Sequence, residues 1–277
     1  MNESGRFPSR DRLSVLTALI VLAYALARFL DLPARAITAT LFGSALGFEL
    51  SGAALMLLLV AALISTGSDA LIRSHPCYGG RSGAGSLIHW ILPGATALVL
   101  GAALDRLPSG PLWLVGLGAT ALAVLAVLVA EYLVVNPEEP ARDAATVGLT
   151  ALGYVLAVDL SALLASLRAR AAITASVGGV VAAAIAWRLF TLNGAEPARA
   201  ALPGGIVGVI AAEVTWALSY WRISPIGAAL LTVIPFYVGI GLAQQHLAGR
   251  LTRRMWIEFA VVGALGLAAG LLFALSR

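Results

Sequence analysis

The chain is 277 residues long, 60% hydrophobic and only 12% charged, with a mean hydropathy of +0.93, whereas a soluble domain carries about 25% charged residues; a soluble globular protein is excluded. All 18 basic residues are arginine, so a retinal or pyridoxal Schiff base, a phosphate-loop lysine and a lysine nucleophile are ruled out. The formal charge of +4 is too small to imply nucleic acid, and a single cysteine, Cys77, allows neither an intrachain disulfide nor an all-cysteine metal site.

Residues 1–12 read as a polar tail and 13–277 as a single transmembrane helical domain. The apolar run 13–30 is longer than the core of a secretory signal, and no small-residue cleavage pattern precedes Asp31 and Pro33. It is predicted to be a first span that stays attached. The segment 31–51 breaks the helical pattern. Ile37, Thr38 and Thr40 are β-branched, and Gly43-Ser44 suits a hairpin turn with glycine first, flanked by short strands at 36–42 and 45–50. Open strand edges are not tolerated in hydrocarbon, which places this hairpin at the membrane surface; a re-entrant loop is the alternative.

The later spans follow from bilayer-length apolar runs and their breakers. They are predicted at 52–73, 86–104, 112–135, 143–167, 172–192, 203–221, 226–246 and 256–275. The loop 74–85, the polar run Asn136-Pro137-Glu138-Glu139-Pro140 and Arg168-Ala169-Arg170 separate some of them. Pro203 is placed in the first turn of the seventh span, where its missing N–H costs nothing, and Pro235 marks a potential kink in the eighth. The fold class is therefore all-α: a polytopic transmembrane bundle of about nine spans, with a small β-hairpin between the first two. The N-terminal tail and the even-numbered loops hold more arginines than the opposite side, which predicts a multi-pass protein of the cell membrane with its N-terminus cytoplasmic. Gly204 with Gly208 and Gly266 with Gly270 have the four-residue spacing of close helix contacts, although glycine is abundant throughout, at 29 residues.

Charges inside spans are expensive, and so they are informative. Asp159 and Glu213 are the deepest. Glu213, Trp216 and Tyr220 share one helix face at i, i+3 and i+7, forming with Asp159 a candidate buried polar face. Such carboxylates would bind a cation or proton, or serve as structural hydrogen-bonded acids. Glu131 and Arg188 lie near span ends on the same predicted side, where they either pair or extend separately to the interface. Asp69, Arg73, His75, His89, His246, Arg250, Arg253, Arg254 and Glu258 are predicted to join them on a cytoplasmic rim. Three histidines and a carboxylate are zinc-type ligands, but no HExxH spacing fixes two of them on one helix. No metal, cofactor or catalytic residue is assigned.

Three segments carry a resemblance: 67–76 (GSDALIRSHP), 213–218 (EVTWAL), and 245–254 (QHLAGRLTRR) followed by Glu258-Phe259. In these the chain resembles an uncharacterised bacterial family of polytopic membrane proteins. The resemblance implies a multi-helix membrane fold and brings no catalytic residue. A non-catalytic scaffold or accessory membrane subunit is expected. The alternatives are a small-solute or proton-coupled transporter using the buried carboxylates, and a lipid-acting enzyme at the cytoplasmic interface. Expected partners are the lipid bilayer and either a membrane protein or a second copy, and not nucleic acid.

Overall fold

The computed structural model describes residues 8–30, 32–41, 44–78, 85–167 and 169–275, with only the backbone described over 36–50. Among the described residues there are nine helices, each within a segment long and apolar enough to cross a membrane. They are α1 (Arg10–Phe29), α2 (Gly52–Arg73), α3 (Ile91–Asp105), α4 (Pro111–Leu133), α5 (Arg142–Ser166), α6 (Ala171–Leu192), α7 (Pro197–Leu218), α8 (Pro225–Leu247) and α9 (Arg253–Leu275). A short 3₁₀ turn, Leu87–His89, leads into α3.

Local sequence explains most of the boundaries. Ser51 caps α2 by accepting the Ala54 N–H at 3.2 Å, and Ser224 caps α8 by accepting that of Gly227 at 3.1 Å. Pro111, Pro197 and Pro225 open α4, α7 and α8, where a residue without an N–H leaves no extra group unsatisfied. Gly194 (φ 88°) and Gly249 (φ 66°) follow α6 and α8 in the left-handed conformation that ends a helix. One expected boundary is corrected. The seventh helix begins at Pro197, not at 203, because Pro197 takes the first-turn role and the helix runs on through Pro203.

Between α1 and α2 the backbone forms β1 (Arg35–Leu41) and β2 (Ser44–Leu50), paired antiparallel with Arg35 opposite Leu50 and Leu41 opposite Ser44. The expected turn at Gly43-Ser44 falls partly outside the described residues.

The structure divides into two compact units, Met1–Ala145 and Thr146–Arg277. In the first, α1 packs on α2 and α4, α2 on α3, and α3 on α4. Its core holds Ile20, Tyr24, Ile64, Leu71, Ala97, Val124 and Leu128. The Tyr24 hydroxyl donates to the Ala97 carbonyl at 2.8 Å, which satisfies the polar end of a buried ring.

In the second unit, α6 packs closely on α7, α7 on α8 and α8 on α9. Small residues set the α6–α7 approach. A Cβ built on Gly208 would stand 2.6 Å from both the Cβ of Ala183 and the carbonyl oxygen of Gly179. Gly204 likewise faces the Ala183 carbonyl, at 3.2 Å. Gly266 and Gly270 meet the side chains of Ile234 and Leu231 on α8.

Candidate functional site

Two places gather polar groups, one in each unit. In the first unit, the carboxyl ends of α2 and α4 meet the turn before α3. Asp69 accepts from the Arg73 Nε at 2.6 Å, one helical turn away, and from the Trp90 Nε1 at 3.1 Å. Arg73 also donates to the Ser86 hydroxyl at 3.2 Å, and the buried Ser68 hydroxyl donates to the His89 carbonyl at 2.9 Å. His89 Nδ1 lies 2.7 Å from Glu131 Oε2, and Glu131 is wholly buried. The distance is that of a charge-assisted hydrogen bond, and burial makes such a pair expensive to break.

His75, just beyond α2, is buried against the Tyr132 ring at a centroid separation of 4.4 Å. Its Nδ1 accepts the Cys77 N–H at 3.0 Å, so the neutral ring carries its proton on Nε2. Burial pulls its pKa below the ordinary 6.5, against the opposing pull of the Glu139 carboxylate. Five predicted rim residues, Asp69, Arg73, His75, His89 and Glu131, thus share this end of the first unit. The i,i+4 spacing of Asp69 and Arg73 was legible in the sequence. The contributions of Ser68, Ser86, Trp90, Tyr132 and Glu139 were not, because their contacts join residues far apart in the chain.

The other predicted residues belong to the second unit. Arg188 is buried and donates to the Thr191 hydroxyl at 3.3 Å, so it does not extend into water as the interfacial reading had it. His246, Arg250, Arg253, Arg254 and Glu258 are exposed, with Arg254 and Glu258 paired at 2.8 Å. Among the described residues no three His, Cys, Asp or Glu side chains converge as metal ligands would.

The expected buried polar face is corrected. Asp159, Glu213, Trp216 and Tyr220 are all exposed, and the Trp216 Nε1 donates to the Tyr220 hydroxyl at 3.1 Å. Because α7 ends at Leu218, Glu213 lies only about 8 Å from that end along the axis.

Sequence reasoning missed the principal feature of the second unit. A cavity of about 780 Å³ lies among α5, α6, α7 and α8, within the usual ligand-pocket range of about 300–1,000 Å³. At one end its lining comes from the carboxyl ends of α5 and α7 and the amino ends of α6 and α8. Ser161, Thr174, Thr215, Ser219, Arg222 and Ser224 supply polar groups there. Deeper in, the lining is Ala157, Ala182, Ile185, Ala211 and Phe236, with Tyr154 edge-on behind Phe236 at 6.1 Å. From Thr174 to Ile185 the lining runs about 16 Å along α6, roughly half of a 30 Å hydrocarbon core. Asp159 and Glu213 are not part of it. The hydroxyl residues on four different helices gave no linear pattern that a single sequence reveals.

Among the described residues, nine helices long and apolar enough to cross a membrane define a multi-pass helical membrane protein. Residues 32–273 match the family described as Protein of unknown function (DUF5656), and the chain belongs to that family. No curated protein and no solved structure matches it.

Proposed function

We propose that the protein is a non-enzymatic membrane protein that binds a single amphiphile, a chain-bearing lipid-like molecule, in the cavity of its second unit. The cavity carries this reading, being ligand-sized, polar at one end and apolar along its depth. That profile matches an acyl chain with a head group at the membrane interface. Thr232, which lines the deeper part, donates its hydroxyl to Ala228 at 2.9 Å, so it presents no unspent donor to a chain. The reading is compatible with an accessory subunit that presents or stores a lipid. The first unit's polar cluster is a structural tie in this proposal, since its charged groups are engaged with one another.

The orientation belongs to the same proposal. With the N-terminus cytoplasmic, as the arginine distribution favours, the odd-numbered helices run outward. The polar end of the cavity then faces the extracytoplasmic leaflet.

The test is photocrosslinking in nanodiscs with a phospholipid bearing a diazirine at its acyl terminus. Adducts are expected on deep lining residues such as Ile185 and Phe236. Gly178→Leu should remove most of them without unfolding, because a Cβ there meets only ordinary contacts at 3.6 Å and the side chain enters the cavity. Adducts confined to outward residues such as Val155 and Val209, or undiminished by Gly178→Leu, would overturn the proposal.

A further inference from the structure

We infer that the cavity selects an amphiphile with an anionic, phosphate-type head group, held by Arg222 and a set of hydroxyl donors; this rests on the binding role proposed above. Among the described lining residues Arg222 alone is charged. It is exposed and makes no ion pair or hydrogen bond among the described residues, so its guanidinium donors are open to a ligand at the cavity mouth. A planar, permanently charged fork of this kind suits a phosphate oxygen pair.

The hydroxyls around it are available too. Ser161 and Thr215 line the cavity, and their hydroxyls make no hydrogen bond among the described residues. Ser224 accepts the Gly227 N–H with its oxygen, which leaves its own O–H to donate. Ser219 is excluded, because its hydroxyl already donates to the Trp216 carbonyl at 2.6 Å. Ser224 also sits at the amino end of α8, a 23-residue helix whose dipole adds positive potential at the same level.

The opposing groups do not cancel this set. The carboxyl ends of α5 and α7 share the cavity mouth, but their closing turns occupy terminal carbonyls. Leu167 N–H bonds to Leu163 at 3.3 Å, Ser219 N–H to Thr215 at 3.1 Å, and Trp221 N–H to Leu218 at 3.0 Å. Asp159 and Glu213 are exposed and outside the lining. Depth separates head from tail: the charge and the unspent hydroxyls lie within about two helical turns of the mouth, with the apolar lining beyond.

The experiment compares diazirine-bearing phosphatidylglycerol with the corresponding phosphatidylcholine in nanodiscs, for the wild type, Arg222→Gln and Arg222→Lys. In the wild type the anionic lipid should give roughly tenfold more adduct on Ile185 and Phe236 than the zwitterionic one. Arg222→Gln should bring the two close to parity, and Arg222→Lys should keep much of the preference. Equal cavity adducts from both lipids in the wild type would overturn the head-group inference and leave the binding role standing. No cavity adduct from either lipid would overturn both. Inorganic phosphate at millimolar concentration distinguishes the source of the anion. If it suppresses the phosphatidylglycerol adduct completely, a free anion is the ligand and the lipid assignment is overturned; if the adduct persists, the anion is lipid-borne.

Discussion

At His75 the chemistry of one ring sets a pH dependence for the whole first unit. The ring is buried and accepts a backbone N–H on Nδ1, so the fold favours its neutral form and lowers its pKa below 6.5. The unfolded chain therefore binds this proton more tightly than the folded one. The stabilisation is complete above about pH 6.5 and is lost as the pH falls through 6.5 toward the folded value. Melting of the detergent-solubilised protein should move to lower temperature between pH 7.5 and 5.5, and His75→Gln should flatten part of that slope. An unchanged slope would show that the ring is not held neutral. The His89–Glu131 pair tests a different effect. His89→Ala removes one partner of a fully buried carboxylate and should destabilise by roughly 3 kcal/mol. His89→Gln, which retains a donor, should lose distinctly less in the same unfolding measurement.

At the scale of the element, the α6–α7 pair is held by shape. Tails of lipids are as apolar as leucine, so helices in a bilayer associate through close packing rather than through water exclusion. Gly179, Gly204 and Gly208 let the two backbones approach until a carbonyl oxygen occupies the place a side chain would take. Gly208→Val should cost about 2 kcal/mol through overpacking. Three residues away, Gly205 has nothing within 4 Å. Gly205→Ala should be neutral or stabilise by up to about 1 kcal/mol, as alanine does in a helix interior. Similar losses at both positions would mean that helix propensity, not contact, governs the pair. The same α6–α7 pair lines the cavity with Gly178, Ala182, Ala211 and Thr215. Small side chains thus do two things here, closing one part of the interface and leaving space in another.

For the whole molecule, the proposed orientation can be read through its single cysteine. Cys77 is exposed in the turn after α2, a position that the N-inside topology puts in the cytoplasm. A membrane-impermeant maleimide should label it in inverted vesicles and leave it unlabelled in right-side-out ones. The reverse pattern would turn the cavity mouth toward the cytoplasmic leaflet. The two units differ in how they use polarity. The first ties its polar residues to one another across α2, α4 and the turn before α3, and the second gathers hydroxyls and an arginine around a space.

Sequence alone determined the solvent. Uninterrupted apolar runs of bilayer length, with arginine and proline at their ends, are local properties, so the nine spanning segments were legible and most ends fell within a few residues. The Asp69–Arg73 pair was legible for the same reason, since one helical turn fixes its spacing. The helix packing decided which polar groups are inside. Glu131, near the end of a span, became fully buried, while Glu213, read as deep, is exposed because α7 packs through the face that carries Ala200, Gly204, Val207, Gly208 and Ala211. The hydropathy of a bundle helix is high on every face, because lipid and core are both apolar, so periodicity does not distinguish inside from outside. A cavity is the space left among four helices, built from residues as far apart as Ala157 and Phe236, and no linear pattern records it.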